Sequence, residues 1–112
     1  MKDWITQLRK GLLEFCVLNV LAQEQTYGYR LVQQLRRIEE LAIGESTAYP
    51  ILARLRRDEL LKVRHVPSGT GPPRRCYCLT DLGRRRVAAM NRYWDDLVAS
   101  VERLRTPEKE EA

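Results

Sequence analysis

The chain has 112 residues, 44% of them hydrophobic and 31% charged, with a formal net charge of +5. That is the size and composition of one globular domain. No apolar run approaches the ~20 residues that cross a bilayer, and the opening Met1-Lys2-Asp3-Trp4 lacks the apolar core of a signal peptide, so a cytoplasmic protein is expected.

From Asp3 to Ala22 the pattern is helical. Ile5, Leu8, Leu12 and Phe15 recur at spacings of three and four, with Leu13, Val17 and Val20 or Leu21 on an adjoining stripe. The first half is one-sided and the second apolar nearly all round, as in a helix that starts at an interface and ends in a core. After the polar Gln23-Glu24-Gln25, a second helix is expected from an N-cap at Thr26 to about Glu40, burying Tyr27, Leu31, Leu35 and Ile38. Gly44 breaks the pattern. Ser46 or Thr47 then caps a third helix that lasts to about Asp58, with Pro50 in its first turn, where a missing N–H is best tolerated.

Leu61–Val66 and Arg74–Leu79 read as strands, with Tyr77 and Leu79 toward the core and Cys76 and Cys78 on the other side. Pro67-Ser68-Gly69-Thr70-Gly71-Pro72-Pro73 joins them and reads as a long flexible wing. Thr80 caps a last helix, with Asp81 in its first turn. In that helix Val87, Met90, Trp94, Leu97, Val101 and Leu104 are spaced 3, 4, 3, 4 and 3, an a/d seam with nothing polar in it. Such a helix projecting from a small domain finds a partner, most simply its own copy; the competing reading is that the seam only covers the first helix. After Thr106-Pro107 the charged tail is expected to fray. The expected division is a helix-and-hairpin unit over 1–80 that includes the N-terminal helix, a dimerisation helix over 81–106 and the tail over 107–112.

The charge is concentrated. Ser46–Arg86 carries ten Lys/Arg against three Asp/Glu, a net +7, while the remaining residues sum to −2. A positive helix-plus-hairpin unit is what a phosphate backbone attracts. On a helical wheel the third helix places Ala48, Ile51, Leu52 and Leu55 on one side. Ser46, Tyr49, Pro50, Ala53, Arg54 and Arg57 fall on the other. Small residues there allow close approach to a groove, and arginine pairs with guanine edges or phosphates. Lys62, Arg64, Arg74 and Arg75 on the hairpin, and Arg84 to Arg86 beyond it, extend the field.

Other chemistries are poorly supported. Three cysteines are too few for a disulfide framework, and Cys16 reads as a small buried hydrophobe. His65 near Cys76 and Cys78 lacks a fourth ligand at zinc-site spacing. A single His, no phosphate loop and no paired carboxylates on one face leave no catalytic constellation. No enzyme, metal or cofactor is expected.

At this point the sequence resembles a family, the PadR-like winged-helix transcriptional regulators. The resemblance lies in Lys10-Gly11-Leu12-Leu13-Glu14, Tyr27-Gly28-Tyr29, Ser46-Thr47-Ala48-Tyr49-Pro50-Ile51-Leu52-Ala53-Arg54-Leu55 and Arg74-Arg75-Cys76-Tyr77-Cys78-Leu79-Thr80-Asp81-Leu82-Gly83-Arg84. With a single helix after the wing, the chain is similar to the compact branch. The resemblance implies a mainly α fold with a small β-hairpin: a winged helix-turn-helix whose long N-terminal and C-terminal helices form a dimer interface. It further implies a two-fold dimer on a roughly palindromic double-stranded DNA operator; a repressor or autorepressor is the leading expectation, and no membrane partner is expected because no apolar run is long enough to span a bilayer.

By that resemblance Thr47, Tyr49, Pro50 and Arg54 match the recognition-helix motif, and Ser46 and Arg57 join them from the outward face of the wheel. Lys62, Arg64, Arg74 and Arg75 clamp phosphates from the wing. In compact members that sense drugs, an aromatic on the last helix lines an apolar pore between subunits, and Trp94 matches it. Trp94, Ile5, Leu8, Met90 and Leu97 are then the expected lining for a small aromatic or apolar effector; the alternative is that Trp94 only packs in the seam. A further alternative is a winged-helix module for protein–protein assembly without an operator. The sequence departs from the family pattern at Ser46, where the family usually has Gly before the Thr, at Ala48 for Leu, at Arg56 for Glu and at Glu59, the usual Gly. A left-handed backbone at Glu59 costs a non-Gly residue of order 1 kcal/mol.

Overall fold

The computed structural model describes residues 1–107; the end of the charged tail lies outside the described residues. The elements in chain order are α1 Lys2–Gln23, β1 Thr26–Tyr27, α2 Gly28–Arg36, α3 Glu45–Arg57, β2 Leu61–Ser68, β3 Gly71–Leu79 and α4 Asp81–Arg105. This is a winged helix-turn-helix bracketed by two long helices. Among the described residues no helix is long and apolar enough to cross a membrane.

The core gathers where the helical stripes converge. Val17, Leu18 and Leu21 from the second half of α1 meet Leu31, Val32 and Leu35 of α2 and Ala48, Leu52 and Leu55 of α3. Leu60, Leu61, Tyr77, Leu79 and Val87 close it from the sheet and α4. The N-terminal half of α1 contributes no buried residue, so the one-sided stripe of that half remains at the surface.

The sheet has the order β1-β3-β2, all antiparallel. β1 corrects the sequence reading. Thr26 does not cap α2; it is buried in a two-residue strand and pairs with Tyr77, while Tyr27 pairs with Cys76. The extra strand makes β3 central, so Cys76 and Cys78 are buried along with Tyr77 and Leu79. Cys78 Sγ donates to Gln25 Oε1 at 3.0 Å. Helix α2 stops at Arg36 rather than near Glu40, and Ile38 is exposed in the turn that follows.

The wing is tighter than its composition suggests. Strand pairing runs out to Ser68 opposite Gly71, leaving a two-residue turn with Gly69 at φ +76°, the conformation for which glycine is suited. Pro72 and Pro73 together oppose Pro67, and a bulge between Val66 and Ser68 absorbs the mismatch. Prolines give no ladder hydrogen bond, and a bulge or an unpaired edge is where a strand tolerates them.

Two helix ends connect the winged unit to α4. Helix α3 ends with Leu60 N–H bonded to Leu55 O and Glu59 N–H to Arg56 O, and Glu59 has φ 63°. These bonds form a Schellman ending with a left-handed residue at Glu59. Thr80 Oγ1 donates to Glu59 O at 2.6 Å and accepts from Gly83 N–H at 3.0 Å, so the predicted cap of α4 also grips the end of α3.

Candidate nucleic-acid interface

Helix α3 begins at Glu45 with Gly44 as its N-cap. Neither Ser46 nor Thr47 caps it, and both are exposed in the first turn. Pro50 therefore falls in the second turn, not the first. Having no N–H, it leaves the Ser46 carbonyl without its helical bond. Ala48, Ile51, Leu52 and Leu55 are buried as the wheel predicts, turning Ser46, Pro50, Ala53 and Arg57 outward.

The two flanks of α3 differ. Toward the wing, Tyr49, Ala53, Arg56 and Arg57 line one groove with Arg75 and Tyr77, about 480 Å³ in volume. Burial pushes the Tyr49 hydroxyl above its usual pKa, and Glu45 and Tyr77 push the same way. It is therefore a neutral donor throughout the physiological range. On the opposite flank, Arg54 Nη2 lies 3.7 Å from Glu14 Oε2 of α1, so Arg54 turns away from the wing groove.

The wing arginines also separate by face. In β2–β3 the pairs His65–Arg75 and Val63–Tyr77 share one face, while Lys62–Cys78 and Arg64–Cys76 share the other. Arg75 joins the groove beside α3; Lys62 and Arg64 do not. Arg74 lies over the rings of Tyr27 and Tyr29, at 5.7 and 5.9 Å from their centroids. Of the expected set, the structure brings Tyr49, Arg57 and Arg75 together in this groove, and Arg74 joins Tyr49 and Arg75 in a neighbouring one with Tyr27, Tyr29 and Tyr77. Arg56 and Tyr77 complete the groove; the basic residue beside the recognition face was visible in the sequence, whereas the tyrosine reads only as core.

A second, apolar surface runs along α1 and α4. Trp4, Leu8, Tyr93, Trp94, Leu97, Val98, Val101 and Leu104 are all exposed. Val87, placed in the seam by its spacing, is instead buried in the chain's own core, and Met90 packs against that core. Between the helices a cleft of about 500 Å³ is lined by Leu12, Phe15, Met90, Tyr93, Trp94 and Leu97, among others. The Phe15 and Trp94 rings stand 5.3 Å apart at 39°. Ile5 and Leu8 lie outside this cleft, and Leu12 and Phe15 take the α1 side. No cluster of three or more His, Cys, Asp or Glu suited to a metal occurs among the described residues.

The family model "Transcriptional regulator PadR-like family" matches residues 17–89, from the end of α1 through the winged unit into α4. The chain belongs to the PadR-like family. Solved structures of transcriptional regulators agree over nearly its whole length. A PadR-like transcriptional regulator from Bacillus cereus is 31% identical, with 91% of this chain and 99% of that one covered and a TM-score of 0.82. A PadR family transcriptional regulator from Eggerthella lenta is 32% identical, with 96% and 93% covered and a TM-score of 0.80. A Streptococcus transcriptional regulator is 39% identical, with 89% and 98% covered and a TM-score of 0.79. PadR-like proteins are DNA-binding transcription regulators, not enzymes.

Proposed function

We propose that this PadR-like chain is a homodimeric, sequence-specific repressor or autorepressor. The observation that carries this reading is the groove where α3 and the wing meet: Tyr49, Arg56, Arg57 and Arg75 surround the small Ala53. A small residue flanked by guanidinium groups and a phenol suits a helix lying in a major groove, with arginines for guanine edges and phosphates. Ser46, Thr47 and Pro50 lead the helix into the groove. Lys62 and Arg64, on the other face of the hairpin, add long-range attraction, and Arg54 reaches DNA only by leaving Glu14. The exposed apolar faces of α1 and α4 support a dimer in which two recognition helices address a palindromic operator.

The cleft at Phe15 and Trp94 favours a second element of this reading, release by a small planar aromatic or apolar effector. It is apolar, open at the surface that a second copy would cover, and lined by two rings that can stack on a ligand.

The test is binding to the DNA upstream of the protein's own gene against scrambled DNA of equal length, at two salt concentrations. A large preference for the upstream DNA that persists at the higher salt supports a specific autoregulator. Equal and steeply salt-dependent binding to both overturns autoregulation. Salt-insensitive binding to a protein, with no DNA bound, would instead favour an assembly module.

A further inference from the structure

Arg74 and Arg75 both line a groove with Tyr27, Tyr29, Tyr49 and Tyr77, but only Arg75 also lines the groove with Arg56 and Arg57, and only Arg74 lies over the Tyr27 and Tyr29 rings. Tyr27 and Tyr29 stack at the junction of β1 and α2, their planes 2° apart and their centroids 6.0 Å apart. The Arg74 guanidinium covers both rings, at 5.7 and 5.9 Å from the centroids. Its Nη1 donates to Tyr29 Oη at 3.4 Å. A guanidinium over two phenol faces is attracted by both ring quadrupoles, and that attraction is directional.

The register explains why this contact lies at the base of the wing. β1 pairs with β3 only at Thr26–Tyr77 and Tyr27–Cys76. Beyond Cys76 the hairpin continues outward to Gly71 with β2 alone for a partner. Arg74 is attached just past that last pairing. Among the described residues, its bond to Tyr29 is the only side-chain hydrogen bond that ties residues 66–74 to a helix. Arg75 points to the opposite face and stands in the groove with Arg56 and Arg57.

We propose that Arg74 is a positioning residue: by clamping the Tyr27–Tyr29 stack it fixes the angle of the wing to the recognition helix, while Arg75 is the wing arginine that meets a DNA phosphate. The proposal rests on the DNA-binding reading above and divides a role that the sequence assigned equally to both arginines.

Salt dependence separates the two roles, since each phosphate neutralised adds about 0.9 to the slope of log K against log salt. Arg75→Ala should lower that slope by about one contact. Arg74→Ala should weaken binding about three- to tenfold with the slope unchanged. Tyr29→Leu, at an exposed position and with every basic group retained, should reproduce Arg74→Ala; Tyr29→Phe, which keeps the stack, should restore binding. In the free protein, ¹⁵N order parameters at Gly69–Gly71 should fall in Arg74→Ala and Tyr29→Leu but hold in Arg75→Ala. A slope loss in Arg74→Ala equal to that of Arg75→Ala, or unaltered wing-tip order in both clamp variants, would overturn the assignment. If the wild-type chain bound no DNA, the repressor reading would fail, and the order parameters would still decide the clamp.

Discussion

Glu14 of α1 lies 3.7 Å from Arg54 of α3, and its other oxygen lies 3.3 Å from Arg86 Nη1 of α4. One carboxylate on α1 thus reaches both α3 and α4. The pairs are partly exposed, with the arginine side chains about half accessible, so each contributes little to stability. Their importance lies in direction: Glu14 draws Arg54 toward α1 and away from the wing groove.

Glu14→Gln should therefore strengthen DNA binding while scarcely altering the fold. Loss of a negative charge beside Arg54 and Arg86, together with release of Arg54, should raise affinity about two- to fivefold at ~0.1 M salt. Urea unfolding should shift by less than about 1 kcal/mol. A fluorescence-anisotropy titration checks the first and a denaturant curve the second; unchanged or weaker DNA binding would show that Arg54 acts from its place beside Glu14.

The parts of this arrangement that periodicity encodes were legible in the sequence. The stripes of α1, α3 and α4 and the Thr80 cap follow from local spacing and local hydrogen bonding. The rest depends on partners far away in the chain. The Arg54 flank cannot be told from the Arg57 face until α1 is packed beside it. Thr26 resembles a helix cap because a two-residue strand has no period to read; β3 makes it a strand by pairing. Pro67, Pro72 and Pro73 resemble a loop because proline disfavours ladders, yet a bulge at an edge admits them. Val87 fits the heptad seam by spacing and is claimed by the core from the other side.

Glu59 occupies the left-handed C′ position of α3 at φ 63°, where a side chain is strained. Glu59→Gly should stabilise the protein by about 0.5–1 kcal/mol, because relief of that strain outweighs the added freedom of the unfolded chain. Its backbone carbonyl still accepts from Thr80, so the link to α4 survives. A urea midpoint that falls instead would mean that the carboxylate side chain contributes more than the strain removes.

Burial pushes the Cys78 thiol above its ordinary pKa, helped by Cys76 and opposed by Arg64 and Lys62; burial also raises Cys16. The folded state therefore holds these protons more tightly than the unfolded chain does. The resulting stability is complete below the ordinary thiol pKa of about 8.5 and is lost as pH rises beyond it. Unfolding free energy should fall as pH rises above the ordinary thiol pKa of about 8.5, and a Cys16→Ala/Cys78→Val variant should flatten that fall. Iodoacetamide should label the folded protein slowly at neutral pH and faster as alkali generates thiolate.

Val101 is exposed near the end of α4, remote from the domain's core. Val101→Glu should leave the protomer folded, since no buried contact is lost, but place a charge in the proposed seam between copies. Sedimentation should show the wild type as a dimer and the variant shifted toward monomer, with operator affinity lost in parallel because a single half-site remains engaged. A variant still dimeric at micromolar concentration would move the interface toward α1, where Trp4 and Leu8 are exposed.

Trp94 and Phe15 provide the spectroscopic handle on the cleft between α1 and α4. Trp4 is 61% exposed and emits as well, so Trp4→Phe is the background in which to work. In that background planar aromatic compounds should quench the remaining indole by stacking beside Phe15. Trp94→Phe should remove the signal while keeping an aromatic wall, and Phe15→Ala should weaken the titration without removing the emitter. Binding should also lower operator affinity, since a ligand wedged between α1 and α4 bears on the helices that carry Glu14 and Arg86, and through Glu14 on Arg54. Quenching with no change in operator affinity would mean that the cleft accepts aromatics without controlling the recognition helices; no quenching across a broad panel would leave Trp94 as a packing residue of the seam.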